Sequence, residues 1–581
     1  MPTTGTITMA NQLLLTPDEV AATSQTGPRR LRHKAALREP IRVEDPAPRI
    51  LPRRLLEILA VLAIVGIALA LRTYHLTSLP FGLHGDEATT GLEGERILRE
   101  GQIGPYSTAA MGQPAGPLYF TALAVRLFGN TIFAVRIVPA LAGVLTVLAL
   151  YVVARRSFGV AVALVAATLL ATMTWHVHFA RIGFPLETWP LCVILAAGAV
   201  VEAIRRKGLA WWGIAGALAG LGVYSYNAHP FFLAILGLFV GLTSLQGLVR
   251  DGRRGFRPHV LGPMLMVVTL VIAAGPLIDY ARNPEHAYFG HSQAVSIFRQ
   301  PEWAEQATTL DKARFLGERY RDFWARACCS PEVDGVDGSG VLPIAPSALL
   351  LIAVAGGIMG LRRREPLAVL GSLVILLIPL ASVLTLQGLA RRTFAMVPFL
   401  ALFAALPLGW LVERGIARWR RVRGTRRIAP VALIAAALAV VVALGPWTAR
   451  NYFRAFPQSQ EKDWVFSVEL VDAINYLNRL PGDTYVYFFS ERWSFQHETR
   501  MYLAPQYQGE DRSREYGERA DLIANQPSGR FVYVFFGNYT EQLAEVRALY
   551  PQGTVVVGSH TERPPFVAYY VESGATATTR P

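Results

Sequence analysis

Charged side chains are scarce in this chain. Only 17% of its residues are Asp, Glu, Lys or Arg, whereas soluble globular proteins carry about 25%. Hydrophobic residues make up 52% of the chain, and the mean hydropathy is +0.32. This composition excludes an ordinary soluble globular protein and predicts that much of the chain is solvated by lipid.

Cysteine is also rare, with three residues in the whole chain. There is no CxxC pair and no zinc-binding spacing, so we expect no structural metal site. Cys192 falls in an apolar run, where a core position is expected. Cys328 and Cys329 are adjacent in a long loop, where a strained vicinal disulfide and two separate thiols both fit the sequence.

Long apolar runs recur along the chain, each near the ~20 residues that a helix needs to cross the hydrocarbon core. They predict a polytopic α-helical membrane protein with about eleven spans. The runs are 55–72, 131–153, 158–175, 186–204, 209–226, 230–249, 259–278, 341–361, 366–386, 394–412 and 428–447.

The net charge of +14 is unevenly distributed between the loops. Alternate loops are rich in Arg and Lys, and the intervening short loops offer little more than Arg181, Arg391 and Arg392. The positive-inside rule places the rich loops in the cytoplasm. We therefore predict a multi-pass plasma-membrane protein with a cytoplasmic N-terminus and an extracytoplasmic C-terminal domain. Because topology explains the basic charge, no nucleic-acid partner is expected. The rich loops carry Arg155–Arg156, Arg205–Lys207, Arg250–Arg257, Arg362–Arg364 and Arg414–Arg427.

The sequence predicts three domains. Residues 1–50 are polar and rich in Pro and Arg, as in a disordered cytoplasmic tail. Residues 51–447 form the transmembrane domain, with long outer loops at 73–130 and 279–340. Residues 448–581 alternate helical stretches with strand-like stretches at 484–490, 530–536, 554–560 and 566–572. They predict a small α/β layer without a P-loop, dinucleotide fingerprint or nucleophile elbow. This domain either covers the membrane site or binds an acceptor, or it is a structural cap.

The adjacent carboxylates Asp86 and Glu87 follow the first span by about a dozen residues. Like charges this close disfavour each other's ionised form, so one of the two can serve as a base near neutral pH. The alternative is that Asp86 is the N-cap of a helix that starts near Glu87, because Asp is a favoured N-cap. The spacing leaves both interpretations open.

The segments that follow resemble one family of membrane enzymes. A Gly/Pro-rich stretch at 112–117 precedes an apolar stretch at 117–128, which predicts a helix lying at the membrane interface. Ala134-Val135-Arg136 then leads into the second span. In this order, after Asp86-Glu87, the chain resembles the family 39 glycosyltransferases of the GT-C class, which include protein O-mannosyltransferases and aminoarabinose transferases. The likeness in motif order covers about 55–155, and the topology extends it over most of the chain.

The resemblance implies an inverting transferase of a hexose or pentose, with a polyprenyl-phosphate-linked sugar as donor and a lipid, glycan or protein hydroxyl as acceptor. It implies that Asp86 is the catalytic base, that Glu87 orients Asp86 or the sugar, and that Arg181 and Arg392 hold the phosphate. Family members often carry Arg where His291 stands, and a histidine binds phosphate as a cation only when protonated. The remaining substrate-binding candidates at the predicted outer ends of the spans are Tyr226, His229 and Arg391.

No cofactor is required for this chemistry, because arginine can neutralise the leaving phosphate, although a divalent cation is compatible with it. Two other functions compete. A transporter or flippase of a lipid-linked sugar predicts internal repeats or broken, charged helices, and no convincing repeat is present. A membrane scaffold that displays the C-terminal domain leaves the resemblance around Asp86 unexplained.

Overall fold

The computed structural model describes residues 53–252, 256–329, 346–386, 390–423, 429–455, 465–513, 522, 529–558 and 566–572. The predicted tail at 1–50 and residues 387–389 before the arginine pair lie outside this part. So do the side chains of Cys328 and Cys329. Cys192 is half-buried in a helix of the membrane domain.

The membrane domain is a set of apolar helices, and each predicted span overlaps one of them. Within the described residues, seven helices are long and apolar enough to cross a membrane, and shorter apolar helices accompany them. The polytopic fold is thus confirmed, while the count of about eleven spans stays a prediction. The helices are α1 Arg53–Thr73, α2 Gly85–Glu100, α3 Gly116–Phe128, α4 Ile132–Phe158, α5 Val160–Thr172, α6 Thr174–Phe179, α7 Thr188–Arg206, α8 Leu209–Leu221, α9 His229–Asp251, α10 Gly262–Arg282, α11 Gly290–Val295, α12 Pro301–Ala304, α13 Thr309–Cys329, α14 Pro346–Arg362, α15 Pro366–Leu377, α16 Leu380–Val383, α17 Val397–Arg423 and α18 Ala429–Arg450.

Small residues allow the membrane helices to approach closely, as is usual where lipid replaces water as the solvent. Helix α8 packs along α10, and a Cβ atom added to Gly216 would lie 2.0 Å from the carbonyl oxygen of Met266. Helices α14 and α17 meet in the same way at Gly356, whose added Cβ would lie 1.8 Å from the carbonyl oxygen of Phe403. These contacts bring backbone against backbone.

Between the first two predicted spans lie α2, a short antiparallel hairpin and α3. The hairpin pairs β1 (Tyr106–Ser107) with β2 (Gln113–Pro114). Helix α3 forms where the interfacial helix was predicted, with Pro117 in its first turn and an exposed apolar side that includes Phe120 and Leu127. Helix α2 packs against both α3 and the C-terminal domain.

The C-terminal domain is a small α/β layer, as the alternating strand-like and helical stretches predicted. Its described part contains a five-stranded sheet in the order β4-β3-β5-β7-β6, in which β3 runs parallel to β4 and β5 while β7 runs antiparallel to β5 and β6. Successive side chains of a strand point to opposite faces. Val486 and Phe488 therefore pack towards one helix and Tyr487 and Phe489 towards another. The elements are α19 Val468–Leu477, β3 Tyr485–Phe489, α20 Glu498–Leu503, β4 Gly509–Asp511, β5 Phe531–Phe535, α21 Leu543–Leu549, β6 Thr554–Val557 and β7 Val567–Val571.

Candidate functional site

A cavity of about 360 Å³ lies beside the N-terminus of α2. Its walls come from five separate parts of the chain: the start of α2, the β1–β2 hairpin, the segment before α7, the segment before α9, and α11 with the residues that precede α17. The lining residues that carry polar or charged side chains are Asp86, Gln113, Tyr226, Asn227, His291, Arg391 and Arg392. The structure therefore brings together five of the eight residues that the sequence singled out.

Asp86 lies in the first turn of α2, with its side chain half exposed to the cavity. It is not the N-cap of that helix. The N-cap is His84, whose Nδ1 accepts a hydrogen bond of 2.9 Å from the backbone N–H of Asp86. Because His84 satisfies the helix terminus, the alternative interpretation of Asp86 as a helix cap is wrong. Its carboxylate stays available to the cavity.

Glu87 faces away from Asp86, because consecutive residues on a helix are separated by about 100°. Its carboxylate is fully buried and forms a two-pronged ion pair with Arg136, at 2.8 Å from Nε and 3.0 Å from Nη2. The backbone N–H groups of His84 and Gly183 also donate to Glu87. Arg136 compensates the charge of Glu87, so the expected repulsion between the two adjacent carboxylates is largely offset.

Arg136 extends this buried pair to the loop that carries Asp86. Its guanidinium donates to the carbonyl oxygens of Leu76, Pro80 and Gly82, at 3.2, 2.8 and 2.8 Å. Charge-assisted bonds of this kind are stronger than neutral ones. In this structure Glu87 therefore contacts the loop that precedes Asp86, directly at the N–H of His84 and through Arg136 at Gly82.

Arg391 and Arg392 supply positive charge to the cavity at the residues that precede α17. The Arg391 guanidinium lies 5.7 Å from the centre of the Phe184 ring, a cation–π distance. Arg392 donates to the hydroxyl of Thr385 and, at 2.8 Å, to the carbonyl oxygen of Leu386. These contacts hold two guanidinium groups on the same cavity as Asp86.

His291 lies on α11 close to both arginines. Burial lowers the pKa of His291, and the positive charges of Arg392 and Arg391 lower it further. A histidine whose pKa is below its usual value near 6.5 is neutral at pH 7. The fixed positive charge of the cavity lining therefore comes from the two arginines.

Two predicted residues are turned away from the cavity. Arg181 is fully buried and donates to the carbonyl oxygens of Leu71, Tyr74 and Leu79, at 2.8, 2.7 and 2.9 Å. His229 is also fully buried, between the Trp189 indole N–H and the carbonyl oxygen of Ala219. Arg181 joins backbone segments, His229 joins the Trp189 side chain of α7 to the backbone of α8, and neither lines the cavity.

Sequence reasoning missed two polar residues of the cavity, Gln113 and Asn227. Asn227 donates to the carbonyl oxygen of Gly112 at 2.8 Å and so joins the segment before α9 to the hairpin. The Gln113 side chain is buried, and its amide nitrogen has no hydrogen-bond partner. A buried donor without a partner is uncommon in proteins. The signal for both was present, since each lies within a segment that the sequence analysis had already selected.

A buried cluster of three polar side chains lies next to the segment that contains Phe184 and Leu186. The Nε2 atom of His176 lies 2.9 Å from the carboxylate of Glu187, and Arg72 contacts Nδ1 of the same ring. All three side chains are fully buried. They tie the turn before α7 to α1 and α6.

Among the residues that the structure describes, no group of three or more His, Cys, Asp or Glu side chains is arranged to hold a metal ion. The cationic side chains that line this cavity are those of Arg391 and Arg392. A single carboxylate and two guanidinium groups on one cavity can accept a proton from one reactant and hold an anion of another.

Residues 112–274 match the model of the dolichyl-phosphate-mannose-protein mannosyltransferase family. The matched region includes the β2 strand of the cavity, Arg136, the turn before α7 and Tyr226. No curated protein sequence matches the chain.

Two solved structures align with most of the chain. ArnT from Cupriavidus metallidurans bound to undecaprenyl phosphate is 14% identical, with a TM-score of 0.47, over 89% of this chain and 97% of ArnT. The archaeal oligosaccharyltransferase AglB from Archaeoglobus fulgidus, in complex with an inhibitory peptide and a dolichol-phosphate, is 16% identical. Its TM-score is 0.45, over 90% of this chain and 75% of AglB. The family match over residues 112–274 and the apolar helices make this chain similar to the membrane glycosyltransferases of the GT-C class and the family 39 type.

Proposed function

We propose that the chain transfers a sugar from a polyprenyl-phosphate donor to an acceptor hydroxyl on the outer face of the plasma membrane, with inversion at the anomeric carbon. The observation that carries this proposal is the cavity that holds Asp86 together with Arg391 and Arg392. A transferase of this kind needs a base for the acceptor and positive charge for the leaving phosphate. Both are present within about 360 Å³.

The reaction is a single displacement. The acceptor oxygen attacks the anomeric carbon and forms the new glycosidic bond, while the bond between that carbon and the phosphate oxygen breaks. The polyprenyl phosphate leaves with the bonding electron pair, and the acceptor proton passes to the carboxylate of Asp86. Attack from the side opposite the leaving group inverts the configuration.

Arg391 and Arg392 bind the phosphate in this proposal. A guanidinium group stays charged at any physiological pH and matches phosphate oxygens with two parallel hydrogen bonds. Its effect on the developing negative charge is larger in a cavity that excludes water. Tyr226, Asn227 and Gln113 remain to orient the sugar, and the buried amide nitrogen of Gln113 is a donor suited to a sugar hydroxyl. The acceptor is a lipid, a glycan or a protein.

The test is the substitution Asp86→Asn, which keeps the shape of the side chain but cannot take up a proton at neutral pH. Loss of a general base lowers the rate about 10²–10⁴-fold. We expect a folded, donor-binding protein with a turnover reduced by that factor. Transfer is measured in nanodiscs with a radiolabelled polyprenyl-phosphate sugar and a membrane extract as the source of acceptor, with and without added divalent cation.

The matched control is Asp483→Asn, the same change at an exposed aspartate of the C-terminal domain. It should leave turnover unaltered. Wild-type turnover of Asp86→Asn would remove Asp86 from the reaction. Movement of an intact lipid-linked sugar across the membrane without transfer would favour the alternative function, a transporter or flippase.

A further inference from the structure

The C-terminal domain contacts the loop that carries Asp86, and it does so through the backbone. The N–H of Leu83 donates to the carbonyl oxygen of Phe466 at 2.7 Å. Gly82 has φ +77, and a Cβ atom added to it would lie 2.1 Å from that same oxygen. A positive φ and so close an approach both require glycine. The Asp86 loop and the start of the C-terminal domain are thus joined at a point where no side chain fits.

Helix α20 adds two side-chain contacts to the same region. The hydroxyl of Thr499, which is fully buried, donates to the carbonyl oxygen of Leu83 at 3.3 Å. The hydroxyl of Tyr502 donates to the carbonyl oxygen of Thr131, at the N-cap of α4, at 3.1 Å. Each bond crosses from the C-terminal domain to the membrane domain.

The ring of Tyr502 also sets the distance between α20 and α2. It is fully buried in an apolar cluster with Leu83, Ala88 and Val471. A Cβ atom added to Gly91 would lie 2.5 Å from this ring, so the two helices are already at their closest approach. Gly91 lies five residues after Asp86 on the same helix, and a shift of α2 at Gly91 therefore moves Asp86 as well.

We propose that α20, through Thr499 and Tyr502, is a positioning element. It holds Asp86 at the place in the cavity wall from which its carboxylate can take up the acceptor proton. This inference rests on the proposed role of Asp86 as the base. A general base must lie within hydrogen-bond reach of the proton that it takes. A misplacement of about 1 Å can lower a rate about 10²-fold. The C-terminal domain is then a working part of the site and not only a cover for it.

The test uses two variants at this contact, measured as kcat and as KM for the polyprenyl-phosphate donor. Gly91→Ala places a methyl group against the Tyr502 ring and should lower kcat at least ~10-fold. Thr499→Val keeps the shape of the side chain, removes the bond to Leu83 and should lower kcat about 3-fold. The donor KM should stay within about 2-fold in both, because Arg391 and Arg392 lie on other elements.

The matched control is Tyr533→Phe, which removes another buried hydroxyl bond of the same domain, the one to the carbonyl oxygen of Leu522 at 2.6 Å. Tyr533 packs on the face of the sheet away from α20. We expect wild-type kcat and KM. An equal fall of kcat in Tyr533→Phe would mean that a general loss of stability causes the effect, and it would overturn the inference. So would wild-type kcat in Thr499→Val together with a folded, fully active Gly91→Ala.

Asp86→Asn is measured beside these variants, so that the two claims are separated. If Asp86→Asn is inactive and the variants at α20 are not impaired, the positioning role is wrong and the proposed function stands. If Asp86→Asn turns over normally, Asp86 is not the base and the positioning role is wrong with it, whereas absence of sugar transfer by the wild-type protein would contradict the proposed function.

Discussion

Arginine residues in this chain differ in what their guanidinium groups contact, and this decides which of them can serve a substrate. Arg136 and Arg181 are fully buried and bonded to backbone carbonyl oxygens or to Glu87. Arg391 and Arg392 border the cavity instead. In the proposed function a phosphate group in the cavity therefore contacts Arg391 and Arg392. Arg136 and Arg181 stabilise the structure around the cavity.

We predict that Arg392→Ala raises the donor KM about 10-fold or more, because one charged partner of the phosphate is lost. Arg392→Lys should recover only part of this loss, since lysine offers no planar fork for two parallel bonds. The measurement is donor KM in the radiolabelled assay. Arg282→Ala, at the exposed end of α10, is the control and should have no effect. An unchanged donor KM in both Arg392 variants would exclude Arg392 from phosphate binding.

The pKa of His291 gives a prediction on pH. Burial and the two arginines lower this pKa in the empty cavity. A bound phosphodiester opposes the arginine charges and raises the pKa, so binding takes up a proton and strengthens as the pH falls. We expect the donor KM to decrease from pH 7 towards pH 5.5. In His291→Gln this dependence should disappear, and in His291→Arg the KM should be low at every pH.

The same pH dependence in wild type and in His291→Gln would assign it to another group. The readout is the donor KM and not kcat, because the prediction concerns binding of the donor phosphate.

At the scale of elements, the membrane helices are held by close contacts between backbones. We predict that Gly216→Ala lowers the stability of the membrane domain by about 1–3 kcal/mol, because its methyl group meets the carbonyl of Met266 on α10. Alanine is otherwise the better helix former. Gly237→Ala in α9, where an added Cβ meets no atom within 4 Å, is the matched control and should not destabilise the protein. Thermal unfolding in detergent measures both, and equal midpoints would contradict the role of this contact.

At the scale of the whole molecule, the distribution of arginine predicts the orientation. A reporter that is active only outside the cytoplasm, fused after Pro581, should be active. The same reporter fused after Arg206, at the end of α7 in a predicted cytoplasmic loop, should be inactive. The reverse pattern would invert the predicted orientation, whereas inactivity of both fusions would mean that the number of spans between Arg206 and the C-terminal domain is even and not odd.

The polytopic architecture could be predicted from the sequence alone, because a run of ~20 apolar residues must form a helix in lipid whatever surrounds it. The sequence also determined the strands of the C-terminal domain. The predicted strand at 530–536 is β5, Phe531–Phe535, and the predicted strand at 566–572 is β7, Val567–Val571. In both cases the signal is local, so neighbouring residues are sufficient to read it.

Which candidate residues lie together in the cavity depends on the tertiary structure. Arg181 and Arg392 both lie at the ends of predicted spans, and no local pattern separates them. Their surroundings come from remote segments: carbonyl groups at 71–79 surround Arg181, while Arg392 borders the cavity. Asp86 and Glu87 are adjacent in sequence, yet one faces the cavity and the other pairs with Arg136, 49 residues away. Packing between distant segments determines whether a charged side chain forms a structural bond or lines a site. No single stretch of the chain shows that packing.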